Sequence, residues 1–192
     1  MVALAHLAFE LALPTEISGS TALVAAEREE RWVRRLFQKA VLGFARTELV
    51  PLGWSVRGSV PLHWQVTSKS DGLAAILPRM ETDIVLDPPN GGRRVVVDTK
   101  FASILGSRRF GGDSLKSGYL YQMYAYVRSQ EGLGVQWEKT AGLFLHPATE
   151  ESAYEYAEIQ GHVVTFATVN LAGTATAIRE ELRGIFSRQS NA

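Results

Sequence analysis

Two aspartates and a lysine within one short stretch of this sequence could act together on a phosphate ester. The stretch runs from Glu81 to Phe101, E-T-D-I-V-L-D-P-P-N-G-G-R-R-V-V-V-D-T-K-F, and contains Asp83, Asp98 and Lys100. Paired carboxylates suit Mg²⁺, which prefers carboxylate oxygens and keeps water molecules for chemistry. The combination is therefore what a metal-dependent phosphodiesterase requires.

The spacing predicts a β-hairpin that brings these side chains together. Asn90-Gly91 is a strong signal for a two-residue hairpin turn, and the prolines before it end the first strand. A turn centred there places Asp83 opposite Asp98, and Glu81 opposite Lys100. Opposed Cβ atoms lie about 4.5–5.5 Å apart.

Side-chain alternation assigns the two faces of this hairpin. Asp83, Asp98 and Lys100 share one face, because successive strand side chains point to opposite sides. The prolines could widen the turn: an even slip of register keeps the acidic residues together, whereas an odd slip separates them. The other face is apolar and carries Ile84, Leu86, Val95 and Val97.

Two facing carboxylates repel each other, so the cluster needs a compensating positive charge. A divalent cation, Mg²⁺ or alternatively Mn²⁺, would supply it directly. The simpler alternative is that Lys100 neutralises one aspartate on a solvated face. The hairpin by itself leaves both interpretations open.

The composition is that of a soluble globular protein of one domain, with 192 residues and no cysteine. The lack of cysteine excludes disulfides, zinc ribbons and cysteine nucleophiles. No phosphate-binding loop or G-x-S-x-G motif occurs, which argues against nucleotide hydrolysis by this chain. The apolar start of the chain is too short to span a bilayer, so no membrane association is expected.

Net charge is zero, which does not indicate a globally basic nucleic-acid binder. Basic residues nevertheless gather around and after the second aspartate. A solvated loop and phosphate binding explain this excess equally well. The residues are Arg93, Arg94, Lys100, Arg108, Arg109 and Lys116.

The chain pattern predicts helices at both ends of a set of strands. We expect a long helix over 27–48, a strand over 58–66, a glycine-rich loop over 105–118 and a helix over 118–131. Further strands are predicted at 141–146, 154–159 and 162–169. The long helix has a predicted apolar row of Trp32, Leu36, Ala40 and Phe44. The last helix, which Asn170 would cap, has a predicted apolar row of Leu171, Ala175, Ile178, Leu182 and Ile185.

The helix after the basic loop carries a row of side chains near one face. Leu115, Tyr119, Gln122 and Tyr126 follow one another at spacings of four, three and four. Gln122 and Tyr126 could reach a phosphate or a base together. The alternative is core packing with one polar tip.

Three blocks together resemble the McrC family, the nuclease subunit of McrBC-type modification-dependent restriction systems. They are P-R-M-E-T-D-I-V-L, V-V-V-D-T-K-F and L-Y-Q-M-Y-A-Y, and the resemblance runs from about Glu27 onward. The family belongs to the PD-(D/E)xK nuclease superfamily. The resemblance implies an α/β, restriction-endonuclease-like fold, a mixed sheet flanked by helices in a single nuclease domain over 21–192. Residues 1–20 would form a helix and loop, a remnant of or link to an upstream region.

By this resemblance, Asp83 and Asp98 would bind Mg²⁺, with the Thr99 backbone carbonyl as a further ligand. Lys100 would position or activate the attacking water and stabilise the charge that develops on the phosphate. Five further residues would contact DNA: Arg108, Arg109, Lys116, Gln122 and Tyr126. Among them, Gln122 and Tyr126 match the Q-x-x-x-Y element of RecB-like nucleases.

The sequence departs from the family pattern in two respects. Gln38 stands where the family usually has a glutamate, in R-R-L-F-Q-K-A-V, so either Gln38 coordinates through its amide oxygen or Glu81 supplies the missing carboxylate. Most of the N-terminal region with which McrC proteins engage the McrB GTPase has no counterpart. The implied partners are DNA and a McrB-like AAA+ GTPase, with dimerisation for double-strand cleavage and a cytoplasmic location.

Three functions remain open at this point. The leading hypothesis is a Mg²⁺-dependent DNA endonuclease of the McrC type, in which water attacks a phosphodiester and the 3′-oxygen leaves. The second is a nuclease-fold binding or assembly module that is inactive because Gln38 replaces the glutamate. The third is a standalone RecB-like nuclease that cuts DNA with no GTPase present.

Overall fold

A six-stranded mixed sheet with helices on both faces organises the chain in the computed structural model, which describes residues 20–107, 113–149 and 152–190. The strands are β1 (Ser55–Leu62), β2 (Met80–Asp87), β3 (Val95–Thr99), β4 (Leu105–Ser107), β5 (Asp113–Leu115), β6 (Ala141–Pro147), β7 (Tyr154–Ile159) and β8 (His162–Val169). The helices are α1 (Ser20–Leu49), α2 (Leu73–Ile76), α3 (Ser117–Arg128), α4 (Val135–Glu138) and α5 (Ala175–Ser190).

The strand order of the main sheet is β1-β2-β3-β6-β8-β7, and β4 pairs with β5 in a separate two-stranded sheet. The central strands β3, β6 and β8 are parallel, whereas the β1–β2, β2–β3 and β7–β8 pairs are antiparallel. The predicted fold class, a mixed sheet flanked by helices, is confirmed. None of the helices within the described parts of the chain combines the length and the hydropathy that a bilayer span requires.

The hairpin of β2 and β3 has the predicted register. Asn90 and Gly91 stand at its tip with φ of 60° and 73°, the left-handed conformation that the Asn-Gly pair favours. The prolines do widen the connection into a short 3₁₀ turn, Pro89–Gly91, but the register does not slip. The paired residues are Ile84–Val97, Val85–Val96 and Leu86–Val95.

Both faces of the hairpin are buried. The predicted apolar face packs against α1 and α5, in one cluster with Phe37 and Phe186. The opposite face packs Val85 and Val96 against Met123 of α3. The acidic residues belong to this second face, so α3 lies over the side of the sheet that carries them.

Helix α1 is confirmed, but its predicted apolar row is wrong by one position. Trp32 is 46% exposed, and the buried row begins one residue later. The two rows have the same spacing, so periodicity did not separate them. The buried row is the one that packs against the apolar face of β2 and β3. Its members are Val33, Phe37, Val41, Ala45 and Leu49.

Two other local predictions are corrected. The segment predicted as a loop over 105–118 contains β4 and β5, and residues 108–112 between them lie outside the described residues. The last helix is capped by Thr174, whose Oγ1 accepts a hydrogen bond from the Ala177 N–H at 3.2 Å. Asn170 instead accepts a hydrogen bond from the Ala172 N–H at 3.0 Å, before the helix begins.

The predicted N-terminal helix falls almost wholly in 1–19, which lies outside the described residues.

Candidate active site

A cleft of about 290 Å³ between α1, α3 and the ends of β2 and β3 gathers most of the predicted site residues. Of these predicted residues, strand β2 contributes two, β3 and the turn after it contribute three, and helices α1 and α3 contribute the other three. The predicted residues that line the cleft are Gln38, Glu81, Asp83, Asp98, Thr99, Lys100, Gln122 and Tyr126.

The two aspartates lie just beyond the last paired residues of the hairpin, Ile84 and Val97. Strand β3 stays paired with β6 on its other side, and the Lys100 N–H donates to the Leu145 carbonyl at 3.0 Å. The strand that carries Asp98 is therefore fixed on one side and open on the side that faces β2. This opening is what gives the carboxylates room for a ligand.

A strained residue lies level with Asp83 on the neighbouring strand. Ser59 has φ of 51°, a left-handed conformation that is uncommon for serine. It stands between the β1–β2 pairs Gly58–Ile84 and Val60–Thr82. Strain of this kind clusters at functional sites, so its position agrees with the cleft being one.

Asp83 is held by Thr99 through one carboxylate oxygen. Its Oδ2 accepts a hydrogen bond from the Thr99 backbone N–H at 2.7 Å and another from Thr99 Oγ1 at 2.6 Å. Its Oδ1 receives no hydrogen bond from the described residues. One oxygen of Asp83 is thus satisfied, and the other remains available.

Asp98 is a buried carboxylate with incomplete compensation. Its side chain is 4% exposed, and its Oδ1 lies 2.7 Å from Lys100 Nζ in an ion pair. The angles are not those of a hydrogen bond, so this buried oxygen lacks an aligned donor. Burial raises the pKa of Asp98 from 3.8 to about 6, although Lys100 lowers it, and the negative charge of Asp83 adds to the rise. The charge of Lys100 therefore does not fully offset the burial of this carboxylate.

Lys100 is fixed by two acceptors. Besides the ion pair with Asp98, its Nζ donates to Gln122 Oε1 at 2.9 Å. An ammonium can only donate, so the amide orientation of Gln122 is determined. Its Nε2 then donates to the Tyr126 hydroxyl at 2.6 Å. Tyr126 is therefore an acceptor in this chain and keeps its own hydroxyl proton for another group.

The residues present fit a divalent cation held by two carboxylates. Among the described residues, no group of three or more histidine, aspartate or glutamate side chains could hold a metal ion. Mg²⁺ does not need such a group, because it commonly binds one or two carboxylates and keeps several waters. Asp83 Oδ1 and the under-compensated Asp98 supply that set. Gln38 and Glu81 line the same cleft, but Glu81 does not form a group of three metal-holding carboxylates with Asp83 and Asp98.

Of the three basic residues predicted to contact DNA, Lys116 is the one among the described residues. Arg108 and Arg109 lie outside the described residues. Lys116 is exposed, does not line the cleft, and places its Nζ 5.5 Å from the centre of the Tyr119 ring. Arg94 pairs with Asp87 at 2.5 Å in the hairpin, so its role is structural.

Two arginines of α1 that the sequence analysis did not single out do line the cleft. Arg34 forms an ion pair with Glu30 at 2.5 Å, whereas Arg35 makes no ion pair or hydrogen bond with the described residues. They stand four and three residues before Gln38, which is the spacing of one helix face. That spacing was the signal available in the sequence.

A buried histidine supports the turn that follows Lys100. His146 Nδ1 lies 2.9 Å from the Ala102 carbonyl, which can only accept, so Nδ1 carries the proton. Burial lowers the pKa of His146 to about 4, and the ring is therefore neutral at physiological pH. It acts as a fixed donor that anchors the backbone beside Lys100.

Comparison with known proteins gives one informative relative. No protein-family model matches the chain. The chain is 31% identical over 174 residues to the type IV methyl-directed restriction enzyme EcoKMcrBC of Escherichia coli strain K12. The match takes in 91% of this chain and 48% of that protein, so the chain spans about half the length of its relative. A crystal structure of a protein of unknown function aligns with 79% of this chain and 67% of its own, at 14% identity and a TM-score of 0.41, too distant to bear on the function.

Proposed function

Since the chain belongs to the McrC family, we propose that it is the DNA-cleaving component of a McrBC-type restriction system and hydrolyses DNA phosphodiesters with Mg²⁺. The observation that carries this proposal is the state of Asp98. A buried carboxylate with a pKa raised to about 6 and an oxygen without an aligned donor lies beside Asp83 and Lys100. Such a group needs a second positive charge, and a divalent cation supplies it.

The reaction is the attack of water on a phosphodiester, with the 3′-oxygen as the leaving group. A bound Mg²⁺ would supply Lewis acidity toward the phosphoryl oxygen. Asp83 and Asp98 would hold it, with the Thr99 carbonyl as a further ligand. Lys100 Nζ forms an ion pair with Asp98 and donates a hydrogen bond to Gln122, which leaves N–H donors for the attacking water or a phosphoryl oxygen.

Gln122 and Tyr126 act on the substrate side of this arrangement. Gln122 fixes Lys100 and donates to the Tyr126 hydroxyl, so the proton of that hydroxyl is free to be donated to a non-bridging phosphate oxygen. Burial raises the pKa of Tyr126, which keeps the hydroxyl protonated. A fixed, neutral donor next to the carboxylates is suited to bind a phosphate without adding negative charge to the site.

DNA would lie across the mouth of the cleft, between α1 and the segment before α3. Arg34 and Arg35 provide positive charge on the α1 side. On the other side, Lys116 is exposed. Arg108 and Arg109 lie outside the described residues, and we propose them as further phosphate contacts. Backbone contacts of this kind position DNA without reading its sequence.

Target choice would therefore rest with a McrB-like AAA+ GTPase partner. The polar lining of the cleft consists mainly of carboxylates, a lysine, two arginines, two amides and two tyrosine hydroxyls, which suit a phosphate rather than a modified base. Double-strand cleavage would require two copies of the site, and hence dimerisation. We expect the system to act in the cytoplasm, where invading DNA is met.

A plasmid-nicking assay tests the proposal. The protein is incubated with methylated supercoiled plasmid and Mg²⁺, alone and with a McrB-like partner and GTP. We expect nicking by the wild type and none by Asp98→Ala or Lys100→Ala. Matched controls are Asp71→Ala and Lys69→Ala, which change exposed residues away from the cleft and should keep full activity. Full activity in both site variants would disprove the proposal.

A second function, an inactive nuclease-fold binding or assembly module, is favoured by one observation. The neutral Gln38 lines the cleft where a carboxylate would add charge for the metal. Calorimetric titration with Mn²⁺ separates the two functions. A nuclease should bind Mn²⁺ in a manner that requires Asp83, whereas an inactive module should show no such binding.

A further inference from the structure

We propose that Thr99 is a positioning residue whose hydroxyl fixes which oxygen Asp83 offers to the metal. This inference rests on the proposed function. It concerns the side chain of Thr99, not the backbone carbonyl considered above as a ligand. The threonine would act through Asp83 and would not itself touch the reacting atoms.

The hydrogen bonds to Asp83 leave no ambiguity about direction. A carboxylate only accepts, so both Thr99 Oγ1 at 2.6 Å and the Thr99 N–H at 2.7 Å must donate to Oδ2. Two donors on one oxygen fix the rotation of the carboxylate about its bond to Cβ. Oδ1, the other oxygen of Asp83, then points away from Thr99 and receives no donor from the described residues.

The end of the strand pairing explains why Thr99 can reach Asp83. The β2–β3 ladder stops at Ile84 and Val97, so the Thr99 N–H takes a side-chain acceptor beyond it. The hydroxyl adds a second donor to the same oxygen. The backbone N–H alone would suffice to end the strand pairing, so the hydroxyl bond to Asp83 is an additional contact.

The two aspartates are held by different residues. Asp98 is fixed from one side by Lys100, and Asp83 from the other side by Thr99. Asp83 therefore presents a defined oxygen, and the cation would find this ligand already oriented. Residues that orient metal ligands in this way typically change metal affinity by about 10–100-fold when they are mutated.

Calorimetric titration with Mn²⁺ on the wild type and on matched variants tests this role. Thr99→Val keeps the shape of the side chain and removes the hydroxyl, whereas Thr99→Ser keeps the hydroxyl. The matched control is Thr82→Val, because Thr82 is buried on the same hairpin and its hydroxyl makes only a 3.4 Å contact with the Val60 carbonyl. Thermal unfolding without metal checks that each variant is folded.

We expect Thr99→Val to bind Mn²⁺ at least about tenfold more weakly than the wild type. Thr99→Ser keeps the hydroxyl, and Thr82→Val leaves the Thr99–Asp83 contact unchanged. Both variants should therefore bind Mn²⁺ with an affinity within about twofold of the wild type. In an Asp83→Asn background, Thr99→Val should cause no further loss. In the nicking assay, Thr99→Val should raise the Mg²⁺ concentration needed for half-maximal rate more than it lowers the rate at saturation.

Three outcomes overturn the inference. Wild-type affinity in Thr99→Val would do so while leaving the proposed function intact, provided that Asp98→Asn abolishes binding. An equal loss in Thr99→Ser and Thr99→Val would show that the hydroxyl is not the group that matters. If the wild type bound no Mn²⁺, the proposed function would fail as well. Thr99→Ala is a second hydroxyl deletion, with the same expected loss, for the case in which the valine does not fold.

Discussion

Replacing Asp98 by asparagine should stabilise the metal-free protein while it removes the proposed metal site. Asp98 is 3% exposed, and burial raises its pKa from 3.8 to about 6 even though Lys100 is paired with it. The folded protein therefore binds this proton more tightly than the unfolded chain does. Protonated Asp98 therefore adds to the free energy of unfolding at low pH, and this contribution is lost as the pH rises through about 6.

The size of the effect follows from the difference between the two pKa values. A shift of about two units, at about 1.4 kcal/mol per unit, gives an upper limit of about 3 kcal/mol for the free energy of unfolding at pH 8. Asparagine removes the charge but also takes the partner from Lys100, so we expect a gain of about 1–3 kcal/mol. For a chain of this length, that corresponds to a rise in Tm of roughly 2–10 °C.

Thermal unfolding in EDTA, followed by circular dichroism from pH 4 to pH 8, measures this gain. The difference between Asp98→Asn and the wild type should be largest at pH 8 and should shrink toward pH 4. The control is Asp87→Asn, which removes the partner of the buried Arg94 and should destabilise the protein. A lower Tm for Asp98→Asn at pH 8, or a difference that does not change with pH, would show that the buried charge of Asp98 does not destabilise the fold.

Three further predictions concern the metal and DNA sides of the cleft. Gln38→Glu adds a carboxylate and should tighten Mn²⁺ binding about tenfold in calorimetry; unchanged affinity would place Gln38 outside the metal shell. Tyr126→Phe should lower the nicking rate about tenfold or more and leave Mn²⁺ affinity unchanged, and an unaltered rate would argue against the phosphate donor. Arg35→Gln should weaken DNA binding measured by fluorescence anisotropy in Ca²⁺ and reduce the salt slope by about one. Arg46→Gln, about three turns further along α1 and outside the cleft, is the control, and equal effects of the two would contradict a contact by Arg35.

The hairpin shows how much of the site could be predicted from sequence. Its register follows from the Asn-Gly turn, and its apolar face from alternation, because both are local properties of the chain. The contact between Thr99 and Asp83 could not be predicted in this way. Alternation places Thr99 on the face opposite to Asp98, and the contact arises only because the ladder ends before it.

The helices show where sequence reasoning reached its limit. Two neighbouring apolar rows in α1 have the same spacing, so the choice between Trp32 and Val33 depends on packing against the sheet. That choice also determines which polar side chains face the cleft. Gln38 was identified by family resemblance, whereas Arg34 and Arg35 became evident only when the helix was placed over the strands.

The rate of plasmid nicking as a function of Mg²⁺ concentration, measured for the wild type and for Lys100→Ala, shows whether Asp83, Asp98 and Lys100 form one metal-dependent site for DNA cleavage. We expect a wild-type rate that rises and saturates with Mg²⁺ and is abolished by EDTA, and no detectable rate for Lys100→Ala. Equal rates for the two proteins, or wild-type nicking that persists in EDTA, would contradict such a site.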